Sequence, residues 1–148
     1  MRFVLVLTVA TLTGIPAFAA NPGKVPDMQA LTALAAKAEQ ATPKERCYLY
    51  AELVSGMTEL ASQQMSSGDT SAAAASLKAI QSYSAKIHGD LTNNSKKLKD
   101  AQIIMRRTAF RLKDLMMNAS LDDRPAFENT LKQLDQVQSQ MMLTVFQK

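Results

Sequence analysis

From Leu77 to Leu112 every seventh residue returns to one face of a helix: Leu77, Ser84, Leu91, Leu98, Met105 and Leu112. Five of these six are apolar. A step of seven is close to two turns at 3.6 residues each, so the stretch reads as amphipathic α-helix and is incompatible with a strand, whose faces alternate every two residues. The same periodicity recurs on both sides of it. Leu49, Tyr50, Leu53, Val54, Met57, Leu60, Ala61 and Met65 fall within about half a helix circumference. Phe127, Leu131, Leu134, Val137, Met141 and Val145 form another stripe near the C-terminus. Alanine is abundant, tryptophan is absent and only five glycines and five prolines occur, which fits a helical chain.

The boundaries follow from capping chemistry. Asp27 is expected to cap a first helix carrying Leu31, Leu34, Ala35 and Ala38 on one side. Thr42-Pro43-Lys44-Glu45 has the spacing of a capping box with proline at the first helical position. Gly68 stops that helix, and Asp69 or Thr70 caps the next. Asp122 or Asp123 caps the last helix, with Pro125 in its first turn.

One segment admits two readings. His88-Gly89-Asp90 repeats the stop-and-cap pattern of Ser67-Gly68-Asp69, and Asn93-Asn94-Ser95 forms helix poorly. The apolar face nevertheless keeps its phase across the gap. Phase favours one weakened helix over 70–118, roughly 70 Å long; the alternative is a break near Gly89. The expected fold is therefore all-α, an antiparallel bundle of four amphipathic helices over about 27–41, 44–67, 70–118 and 123–147.

The N-terminus reads differently. Arg2 is followed by a nearly unbroken apolar run from Phe3 to Ile15 and by Ala17-Phe18-Ala19, with small residues where a signal peptidase reads. Residues 1–19 are expected to be a secretory signal peptide cleaved before Ala20, and the run is shorter than the roughly 17–25 residues needed to span a bilayer. Residues 20–26, with Pro22, Gly23 and Pro26, form an extended leader, and 27–148 one helical domain. Export to the periplasm or the extracellular space follows. Cys47 is the only cysteine, so no internal disulfide exists. The net charge of +4 favours weak association with an anionic envelope surface and falls short of a nucleic-acid footprint.

Chemistry-bearing constellations are few. With one histidine, His88, and one cysteine, Cys47, neither zinc-ligand spacing nor a nucleophile motif arises. No enzymatic activity and no cofactor are expected. Glu45, Glu52 and Glu59 step by seven and read as a solvated stripe. Met105, Met141 and Met142 would approach one another if the last two helices form a hairpin turning near Leu121, and thioether clusters bind Cu(I), the alternative function. The other reading of these methionines is core filling.

The strongest lead is a second apolar line. Ile103, Phe110 and Met117 step by seven opposite the Leu98–Met105–Leu112 face. Lys99, Arg106 and Lys113 flank them on one side, Arg107 and Asp114 on the other. An apolar stripe with a charged rim outside the main core marks a packing surface. The first helix, a second copy of the chain, or a protein or lipid partner would cover it.

Tyr48–Ile80, an amphipathic helix, a Gly-Asp turn and a small-residue helix, resembles a single tetratricopeptide-type helical hairpin. The diagnostic large residues and a second copy are missing, so the resemblance implies a hairpin and no peptide-binding groove. The chain also resembles small exported all-helical proteins of bacteria that have no assigned activity. The function these observations favour is a non-enzymatic exported structural or interaction protein, chaperone-like or envelope-associated.

Overall fold

A computed structural model describes residues 26–92 and 94–147. The expected signal peptide and all of the expected leader except Pro26 lie outside the described residues. The chain is all-helical there, with five helices where four are expected: α1 (Met28–Gln40), α2 (Pro43–Ser66), α3 (Thr70–Asp90), α4 (Leu98–Asn118) and α5 (Arg124–Phe146).

The fifth helix arises because 70–118 is broken. Gly89 is not the stop; it lies inside α3, and the chain leaves the helix at Leu91, whose backbone is extended. The chain re-enters helix through Lys97, held in the left-handed region at φ 52°. The connection, 91–97, is itself seven residues long, so it leaves the count of sevens unchanged. Leu77, Ser84, Leu98, Met105 and Leu112 are all buried, on two helices instead of one, because both helices turn this face to the same core. Preserved phase is therefore compatible with a turn.

Local chemistry sets the other ends. Asp27 Oδ1 accepts from Ala30 N at 2.7 Å, and Asp69 Oδ1 from Ala72 N at 3.0 Å. Gly68, at φ 79°, supplies the left-handed residue that ends α2. At Thr42 the reciprocal capping box does not form. Its hydroxyl donates to Glu45 Oε2 at 2.9 Å, while Glu45 Oε1 accepts from Lys96 Nζ at 2.9 Å. The carboxylate drawn toward Lys96 takes the hydroxyl as a donor, and the Thr42 oxygen accepts no backbone N–H of the helix. Before α5, Ser120 Oγ donates to Asp123 Oδ2 at 2.6 Å, so Asp123 braces the turn without capping the helix through its side chain.

Two antiparallel hairpins, α2–α3 and α4–α5, pack side by side. α2 touches α3 and α4, and α5 touches α3 and α4, so α2–α5 and α3–α4 are the diagonals of the bundle. α2 and α4 run parallel: Lys97 Nζ lies 4.5 Å from the centre of the Tyr48 ring, and further along Arg111 Nε lies 3.7 Å from Glu59 Oε1. α3 and α5 run parallel too, joined by Gln81 Nε2 donating to Thr130 Oγ1 at 2.7 Å and, further along, by His88 against Gln140. Loop 91–97 thus crosses the end of the bundle along a diagonal. Lys96 N donates to Lys44 O at 2.7 Å, and buried Ser95 places its hydroxyl 3.8 Å from Cys47 Sγ.

The core is continuous, with Tyr50, Phe127, Leu53, Ile80, Ile87, Met105, Leu112, Leu134 and Met141 fully buried. Burying each large side chain favours folding by roughly 1.5–3 kcal/mol before chain entropy is subtracted. α1 lies outside this square, packs on α2 and reaches α3 through the pair of Glu39 with Lys86. It seals the outward side of α2, where Leu49, Leu53 and Leu60 are buried.

Candidate functional site

α4 is apolar on two sides. Its inner face (Leu98, Ala101, Met105, Ala109, Leu112) enters the core. Its outer face carries Ile103, Phe110 and Met117, which are 52%, 73% and 66% exposed. The expectation that the first helix covers this line fails, because α1 is committed to α2. Leu31, fully buried, seats α1 against Gly56. α4, the parallel neighbour of α2, receives no such cover among the described residues.

The rim is mainly cationic, with exposed Asp114 as its one carboxylate. Lys99, Arg106, Arg107 and Lys113 are exposed, and none joins an ion pair among the described residues. Arg111, one turn further round, is tied to α2 through Glu59 and donates to Ser62 Oγ at 3.1 Å. Glu45 and Glu59 of the expected solvated stripe keep 42% and 44% of their side-chain exposure while also pairing. Glu45 and Glu59 face the cations of loop 91–97 and α4 and bond the two parallel helices along their seam. Partners on Glu45, first the hydrogen bond from Lys96, hold its carboxyl below the usual range.

The remaining candidates are separated by the fold. Met105 and Met141 are fully buried, whereas Met142 is 48% exposed and points out of the core. Only two of the three thioethers enter the interior. Cys47 is buried, with Sγ 3.8 Å from Ile87 O. Burial pushes its thiol pKa up, the opposite of nucleophilic activation. His88 is exposed and turned toward Gln140 on α5. No group of three or more His, Cys, Asp or Glu side chains suited to a metal ion occurs among the described residues.

Two features escape sequence reasoning. Leu143 and Phe146, outside the α5 stripe, are exposed beside Met142 on the last turns of that helix. They carry no charge pattern that would single them out. The second is an anchor between α1 and the bundle. Lys86 pairs with Glu39 and lies 5.5 Å from the Tyr50 ring centre and 5.8 Å from that of Tyr83, and the two rings stack at 5.9 Å. These residues belong to three helices, so no local pattern reveals them.

No family model, curated protein or solved structure matches this chain.

Proposed function

We propose that this chain is a non-enzymatic, exported interaction protein whose working surface is the outer face of α4. The observation that carries the reading is the line Ile103–Phe110–Met117, exposed along one helix and bordered by Lys99, Arg106, Arg107 and Lys113, none of them ion-paired among the described residues. A large apolar side chain held in water gives nothing to the fold, and three in register make a contiguous contact line. The export half of the proposal rests on residues 1–19 and on the small residues before Ala20.

A benzophenone photocrosslinker replacing Phe110 tests the surface in the producing cell. An adduct formed from this position and not from an exposed position on α3, such as Lys78, is expected. Phe110→Asp should abolish the interaction while leaving helicity and melting temperature unchanged, because the side chain is mostly in water already. Absence of any adduct, together with a Phe110→Asp protein that behaves as wild type in every association assay, overturns the reading. N-terminal sequencing of exported protein should find Ala20 first.

A further inference from the structure

We infer that the partner of the α4 face is an anionic lipid surface, on which α4 lies parallel to the membrane plane. This rests on the proposed function and names the chemistry of its partner. Charge complementarity is the first argument. Residues 96–114 hold seven Lys and Arg against two Asp, while the rest of the chain holds ten Lys and Arg against eleven Asp and Glu. The whole positive excess of the molecule is thus carried by one element and the loop that leads into it. Lys96 and Arg111 are spent on Glu45 and Glu59, and Lys97 lies over the Tyr48 ring, which leaves Lys99, Arg106, Arg107 and Lys113 as the rim facing outward.

Shape is the second argument. The stripe runs along the outer face of one helix, about 21 Å from Ile103 to Met117 at 1.5 Å per residue. The neighbours of α4 among the helices, α2 and α5, pack against its other side. An exposed apolar line whose flanks carry four cations against Asp114 matches an interfacial helix, in which apolar side chains enter the acyl boundary and long basic stems lift their charges to the phosphates. Leu121 just beyond α4, and Met142, Leu143 and Phe146 at the Ile103 end of the bundle, add exposed apolar area near both ends of the line. No helix among the described residues is long and apolar enough to cross a membrane, so the contact is peripheral.

Cosedimentation of the processed chain, Ala20–Lys148, with vesicles tests this. Vesicles containing about one third phosphatidylglycerol in phosphatidylcholine should bind it, and each rim cation near such a surface contributes about a fivefold factor. Pure phosphatidylcholine vesicles should bind at least about tenfold more weakly, and raised salt should weaken binding to the anionic ones. Arg106→Gln with Arg107→Gln should lower affinity with little effect on melting temperature, and Phe110→Asp should abolish binding. Equal binding to both vesicle types, no binding to either, or anionic binding indifferent to Phe110→Asp overturns the inference. The photocrosslinker separates the two levels: a lipid adduct supports the inference, whereas a protein adduct without vesicle binding overturns it and leaves the interaction surface standing.

Discussion

Leu31 on α1 occupies the space that a side chain on Gly56 of α2 would need. A Cβ at position 56 would fall 2.5 Å from Leu31 Cδ2 and 3.4 Å from Pro26 Cγ. Gly89, also helical, has nothing within 4 Å of the corresponding point. The two glycines therefore answer the same substitution in opposite ways.

Gly89→Ala should stabilise the protein by up to about 1 kcal/mol, since alanine removes backbone freedom from the unfolded chain and meets no neighbour. Gly56→Ala gains the same term but must displace a buried leucine, and overpacking of this kind costs about 1–3 kcal/mol. Its melting temperature should fall, and α1 should become sensitive to protease. A Gly56→Ala protein that melts as high as Gly89→Ala would show that α1 does not rest on α2 as described.

Spin labels at Lys78 and Lys113 test the break between α3 and α4. One helix through 70–118 would hold their backbones about 52 Å apart, from 1.5 Å per residue. Two helices folded back through loop 91–97 bring them to less than about half of that. A distance distribution centred near the longer value would contradict the two-hairpin architecture.

The α1 anchor should be acid-labile. The hydrogen bond from Lys86 holds the Glu39 carboxyl below its ordinary value, with the Tyr50 hydroxyl and the nearby positive charges of Lys86 and Arg46 acting the same way against desolvation. A depressed carboxylate contributes stability that is present above its unfolded value and is lost as pH falls through the folded one. Amide exchange in α1 should therefore accelerate below about pH 4.5, before exchange in α4 and α5 does. Glu39→Gln should remove that pH dependence from α1.

The Cys47 thiol should be silent to a thiol reagent at about pH 8 in the folded protein and react fully in denaturant, because burial raises its pKa and no thiolate forms. The linkage has a direction. A folded pKa above the unfolded one leaves stability intact below about pH 8.5 and erodes it as pH climbs beyond that. Cys47→Ala should flatten this part of the curve. Rapid labelling of the native state would place Cys47 outside the core.

Much of this was readable from periodicity. Every apolar stripe assigned on α2 and α5 is buried or half-buried, and the second line on α4 stands out because Ile103, Phe110 and Met117 oppose a complete core face. Periodicity counts residues along one helix, however, and is blind to a seven-residue loop that leaves the count intact. It also cannot say which of two outward faces a short helix covers. That choice was made by Gly56, whose missing side chain admits Leu31, while Phe110 offers α1 no such seat. The pairing of Glu45 with Lys96 and of Glu59 with Arg111 depends on α2 and α4 lying side by side, a relation between residues about fifty positions apart.

The diagonal course of loop 91–97 orders events in time. Each hairpin closes through a short turn, so α2–α3 and α4–α5 form from local contacts with little loop-closure entropy. The loop's own bonds, Lys96 to Lys44 and Ser95 to Cys47, reach back to the first turns of α2. They form a clasp across the end of the bundle. A chain emerging from its N-terminus completes α2–α3 while the side destined for α4, with Ala51 and Thr58, still faces water. Until α4 arrives and the clasp shuts, the half-built protein is stickier than the finished one, and on a face the finished one never shows.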